Sequence, residues 1–101
     1  MTAGNRNAAN ETQIRALIDD RTKAVRAKDS VGATSGVAPD ILMFDVVNPL
    51  RQTGSSASRK RAEEWFSLFN GPIGYEIRNL DITAGDDVAF AHGICHVSAT
   101  M

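Results

Sequence analysis

The chain has 101 residues, 43% hydrophobic and 23% charged, with a formal net charge of −1. That is enough for one domain with its own core, and the charge is too balanced to attract nucleic acid or anionic lipid through a global field. The single cysteine, Cys95, excludes an internal disulfide framework and a multi-cysteine zinc site. No uncharged run approaches the roughly 20 apolar residues of a membrane span, and residues 1–10 lack the apolar stretch of a signal peptide. The sequence therefore reads as a soluble, cytoplasmic domain with no membrane or nucleic-acid partner.

Residues 1–9 are small and polar and read as a disordered tail, leaving a single domain over 10–101. Asn10, with Gln13 three residues on, has the pattern of a capping box opening a helix. Ile14, Leu17, Ile18 and Val25 form its apolar stripe. Arg21 lies three residues after Ile18 and four before Val25, so it points with the core, either as an internal cation or with its head snorkelling to water. Residues 31–38 carry two glycines, Thr34 and Ser35, and predict only a weak helix or a turn.

A strand is expected over 41–47, broken by Asn48-Pro49, with Leu50-Arg51-Gln52 as a short partner. Ser55 or Ser56 would cap a second long helix whose apolar face is Ala62, Trp65, Phe66 and Phe69. Asn70-Gly71-Pro72 would stop that helix. Two long strands follow, over 73–83 and 88–100, joined by the turn Ala84-Gly85-Asp86-Asp87. The alternation Ile73, Tyr75, Ile77 shifts phase to Leu80, Ile82, which predicts a bulge near Asn79. In the second strand Val88, Phe90, His92, Ile94 and His96 share one face; Ala89, Ala91, Gly93, Cys95 and Val97 share the other.

This order of elements resembles the nuclear transport factor 2-like superfamily, with its SnoaL-like branch and ketosteroid isomerase. The residues that carry the resemblance are Glu11 through Ile18 with Ala24 through Asp29, Ala38 through Ile41 leading to Phe44-Asp45, Gly54 through Phe66, and Val88 through His92. The resemblance implies an α+β roll of the cystatin-like type: a curved, mainly antiparallel sheet wrapped against N-terminal helices, enclosing a cone-shaped pocket. It also implies two more strands beyond the one ending near Thr100, so the sequence is expected to be C-terminally truncated. Ketosteroid isomerase, in that family, pairs an Asp base with a Tyr and a protonated Asp at the oxyanion. By position, Asp45 matches that base. Arg21 falls where the oxyanion Tyr stands, which argues against steroid-type isomerisation.

The resulting expectation is a small-molecule-binding protein that acts by acid/base chemistry on an apolar, carbonyl-bearing substrate. Asp45 would be the base, or else an Asp capping the Asn48-Pro49 corner. His92 would be a secondary acid, or a structural histidine. Arg21 would stabilise negative charge, and pairing it with Asp45 would let both face inward. Phe44, Trp65, Phe69 and Tyr75 are candidate pocket walls. His92 and His96, roughly 13 Å apart along a strand, cannot share one metal. Neither a metal nor a cofactor is implied. Cys95 reads as a small buried residue, and Arg59-Lys60-Arg61 as a solvated helix face. The alternative is a non-catalytic, dimeric ligand- or partner-binding module. A homodimer through 88–100 is expected because that strand has small or apolar residues on both faces and Val97-Ser98-Ala99-Thr100-Met101 carries no charge or proline to block an edge.

Overall fold

A computed structural model describes residues 6–45 and 50–101. Helix α1 spans Ala8–Arg26 and the single turn α2 spans Ser30–Ala33. Strands β1 (Leu42–Phe44) and β2 (Arg51–Thr53) form a short antiparallel pair, with Met43 opposite Gln52. Helix α3 covers Ser55–Ser67. The long antiparallel hairpin β3 (Asn70–Ala84) and β4 (Ala89–Thr100) completes the chain. This is the expected α+β arrangement. No helix among the described residues is long and apolar enough to cross a membrane.

Helix α1 begins two residues before Asn10. Its cap is Asn7, whose side chain accepts from the Asn10 backbone N–H at 3.0 Å. The sheet favours this earlier start. Asn7 N–H donates to the Ala84 carbonyl at 2.7 Å, and Arg6 bonds both Glu11 and the Ile82 carbonyl. The other end of α1 closes as a Schellman motif, in which Lys28 N–H donates to Val25 O and Asp29 N–H to Ala24 O. That motif puts Lys28 at φ 57. Asp29 then caps α2 through the Gly32 amide.

At the start of α3 neither Ser55 nor Ser56 is the cap. Gly54 takes that place with φ 98, a conformation costly for any residue with a Cβ, and no side chain caps the turn. Of the strand expected over 41–47, the described residues form β strand from Leu42 to Phe44; residues 46–47, and the expected break at 48–49, lie outside the described residues.

The core sits where α1, α2, α3 and the start of β3 meet. Val25, Ala33, Phe66 and Ile73 are buried together, with Ala62, Trp65, Phe69 and Tyr75 packed against them. Trp65 and Phe69 stack edge to face with centroids 5.2 Å apart. The apolar stripe of α1 holds at Ile14, Ile18 and Val25, but Leu17 is largely exposed.

The predicted bulge is present. The β3–β4 register slips between Arg78 and Asp81, and Asn79 adopts φ 54, a left-handed value that asparagine tolerates better than most residues. The slip has a consequence for the site. In an uninterrupted strand Ile77 and Leu80 would face opposite ways; the extra residue brings both onto the face that packs on α1, in line with Tyr75 before it and buried Ile82 and Ala84 after it. Gly93 lies across from the bulge. A Cβ there would stand 3.0 Å from Ile77 Cγ2 and 3.2 Å from Arg78 O, so a side chain would push the bulge away.

Strand β4 is exposed along its whole length, including Phe90 (63%) and Ile94 (60%). Among the described residues it pairs only with β3. The accessible surface, 7188 Å², is well above the roughly 5600 Å² expected of a compact monomer of this mass. Cys95, expected in the interior, is exposed because no layer among the described residues covers β4.

Candidate ligand cleft

Two adjoining cavities lie between α1 and the β3–β4 hairpin. The smaller, about 230 Å³, has Ile18, Ile77 and Leu80 as its apolar floor and Arg21, Tyr75 and Cys95 as its polar wall. The larger, about 300 Å³, shares that floor and continues past Arg15, Asp19, Lys23, Arg26 and Glu76. Together they reach the size range of small-molecule pockets.

The polar wall is a connected chain. Arg21 Nη1 donates to the Tyr75 hydroxyl at 3.2 Å, and that hydroxyl stands 3.3 Å from Cys95 Sγ, where either group can donate. Five residues on in α1, Arg26 Nε donates to the Tyr75 carbonyl at 2.8 Å. Two arginines of one helix thus hold both ends of Tyr75. Burial pushes the Tyr75 phenol above its ordinary value of 10.0 and the Cys95 hydrogen bond adds to this, while Arg21 opposes it. Tyr75 is therefore a neutral hydroxyl, able to donate, throughout the physiological range.

The sequence-predicted residues divide into two groups. Arg21 and Tyr75 meet in the cleft, where Arg21 reaches the sheet through the Tyr75 hydroxyl while remaining exposed rather than within the core. His92 borders the same cavity, yet its Nε2 lies 3.6 Å from Asp81 Oδ2, directly opposite it in the ladder. The suggested Arg21–Asp45 pair does not form. Asp45 follows β1, and its Oδ2 accepts from Arg61 Nη2 of α3 at 2.7 Å. Arg61, expected on a solvated helix face, is partly buried by that contact. Phe44 is 75% exposed in the β1–β2 pair, and Trp65 and Phe69 pack on the core.

The partnership of Tyr75 with Cys95 was not read from the sequence. Its signal was available in the hairpin register, which sets Ile77 opposite Cys95 and Tyr75 opposite Val97, leaving Tyr75 and Cys95 diagonal neighbours on one face. Among the described residues no group of three or more His, Cys, Asp or Glu side chains converges as a metal site.

These features place the chain in a known class. The model of the SnoaL-like domain family matches residues 14–101, and the chain belongs to that family. Among solved structures it is similar to an NTF2-like protein of unknown function from Pseudomonas putida KT2440, with 32% sequence identity and a TM-score of 0.87. The match covers 93% of this chain and 66% of that one, so the chain spans just under two thirds of its neighbour's length. No curated protein matches.

Proposed function

We propose that this domain binds a small apolar molecule in the cleft between α1 and the β3–β4 hairpin, and that Arg21 and Tyr75 receive a carbonyl oxygen of that molecule. The carrying observation is the Arg21–Tyr75–Cys95 chain set over the Ile18–Ile77–Leu80 floor. Family membership supports a small-molecule-binding fold. In the acid/base version of this reading, Arg21 and Tyr75 stabilise the negative charge that develops on the oxygen. His92, which borders the cavity, is a secondary acid, and Asp45, which lies outside the cleft lining beside α3, would have to be brought to the substrate to act as the proton acceptor. The geometry supports Arg21 and Tyr75 in their role more directly than Asp45, which is engaged by Arg61.

The test is an amide NMR titration of the full chain with phenylacetone, a small aryl ketone. Shifts centred on Ile18, Arg21, Tyr75, Ile77 and Cys95 are expected. No perturbation there at millimolar ketone refutes the cleft as the site for a neutral carbonyl compound.

A second reading, a non-catalytic dimeric module, draws on the uncovered β4 strand. Its outward face carries Phe90, His92, Ile94 and His96 along β4, beside Glu76, Arg78 and Asp81 of β3. A two-fold axis would set the exposed Phe90 and Ile94 of one copy against those of the other. Sedimentation over a dilution series, with Ile94→Asp as the disrupting variant, tests it; a monomer at every concentration sinks it.

A further inference from the structure

Resting on the reading of the cleft as a small-molecule site, we infer that its ligand presents a carboxylate to Arg21 and Tyr75, so that the site takes a hydrophobic monocarboxylic acid in preference to a neutral ketone or amide. The argument begins with charge. Among the described residues, no Asp or Glu lines the smaller cavity, and Arg21 makes no ion pair. In the adjoining cavity, by contrast, Arg15, Lys23 and Arg26 share the walls with Asp19 and Glu76. The smaller cavity therefore has a guanidinium at its mouth with no counter-charge on its own walls.

Geometry narrows the anion. A guanidinium has five N–H donors in a planar fork, and Arg21 uses Nη1 on Tyr75. The remaining donors suit the paired oxygens of a carboxylate. The Tyr75 oxygen accepts from Arg21, which leaves its proton to turn either to Cys95 Sγ or to a ligand oxygen, and burial keeps that proton in place. Arg21 is the one guanidinium in this lining and matches one negative charge; His92, also in the lining, is directed at Asp81, 3.6 Å away, so no second cation stands free beside Arg21 for a phosphate dianion. Behind the polar wall, Ile18, Ile77 and Leu80 offer only hydrocarbon, and the floor they form runs on into the larger cavity. The body of the ligand is accordingly an alkyl or aryl group lying along α1.

The chain contains one Tyr, one Trp and one Cys, so its phenolate absorbance reports Tyr75 alone and thiol alkylation reports Cys95 alone. The experiment compares phenylacetate with phenylacetone on the full chain at neutral pH, by calorimetry and amide NMR. Phenylacetate is expected to bind on the order of tenfold tighter, as a charge-assisted hydrogen bond in a partly open site allows. It should also slow Cys95 alkylation and raise the Tyr75 titration midpoint, because the anion cancels the lowering influence of Arg21. Arg21→Gln should abolish the preference, while Arg59→Gln, on the outer face of α3, should keep it. If phenylacetate binds no tighter than phenylacetone, or keeps its advantage in Arg21→Gln, the carboxylate assignment is overturned and the cleft reading stands. If neither compound perturbs the cleft, both fall. The Tyr75 midpoint is read in the unsubstituted protein, so it decides the question even if Arg21→Gln does not fold.

Discussion

Ile73→Ala and Ile94→Ala remove the same atoms from adjacent strands of one hairpin, and the structure assigns them very different costs. Ile73 is 2% exposed and packed with Val25, Ala33 and Phe66, whereas Ile94 is 60% exposed on a strand that is exposed along its length. Burying an isoleucine is worth about 1.5–3 kcal/mol in transfer energy. Truncating one within a packed cluster leaves a cavity as well, and Ile→Ala changes of this kind cost about 2–5 kcal/mol. The core here is a small cluster able to relax in part, so about 3 kcal/mol is expected for Ile73→Ala. Against a total of about 5–15 kcal/mol for a chain of this size, that is a large loss, lowering the melting temperature by roughly 12–24 °C. Ile94→Ala should cost less than about 1 kcal/mol in dilute solution. Urea unfolding followed by Trp65 fluorescence and far-UV circular dichroism measures both. A loss below about 1 kcal/mol at Ile73, or equal losses at the two sites in dilute solution, would refute the location of the core. A cost at Ile94 that grows with protein concentration would instead place that face in an assembly.

Gly93→Val should destabilise the hairpin by about 1–3 kcal/mol and weaken any cleft ligand, because its Cβ presses on Ile77 and on the bulge that sets the floor; chemical denaturation and ligand titration check the two effects. The Tyr75 phenolate should titrate above 10.0, later still in Arg21→Gln and earlier in Cys95→Ala, as the opposing influences of those neighbours require; spectrophotometric titration reads it directly. Glu11 has its pKa lowered, first by its hydrogen bond from Arg6. A depressed carboxyl contributes stability above its unfolded value of about 4.5 and loses it as pH falls through the lower folded value. The Arg6–Glu11–Ala84 anchor should therefore loosen only in acid, with Ala84 amide exchange rising there, and Glu11→Gln should remove that pH step.

The fold was legible because its signals are local and repeated: the 3.6-residue stripe of α1, the aromatic face of α3 and the phase shift at Asn79, although α3 ends at Ser67, before the expected Gly71-Pro72 stop, which lies within β3. What failed were details decided by partners distant in sequence. Asn10 has as good a capping pattern as Asn7, but only Asn7 lies beside the Ala84 carbonyl. Cys95 has the small, apolar neighbours of a core residue, but its burial depends on a layer that, among the described residues, does not lie over β4. Asp45 and Arg21 were natural partners by inward pattern, yet Arg61, sixteen residues after Asp45, reaches it from α3. Charge pairing between separate elements leaves no periodic trace in a sequence.

The cleft depends on two backbone irregularities that a regular hairpin would lack. Without the left-handed Asn79, Ile77 and Leu80 would not share a face, and the floor beneath Arg21 would be interrupted by a side chain directed away from α1. Without a glycine at position 93, that bulge would not have room across the ladder. Both irregularities act on the stretch of β3 that follows Tyr75, the residue held at its carbonyl by Arg26 and at its hydroxyl by Arg21. The helix therefore fixes the polar wall and the bulge fixes the apolar floor. Both draw on helix and hairpin, Ile18 and Arg21 from α1 and Tyr75, Ile77, Leu80 and Cys95 from the strands, so wall and floor meet only when α1 lies along β3. A substitution that shifts α1 along the strand should change ligand affinity without touching any lining residue, because the distance from Arg21 to the floor is set by the register between helix and hairpin.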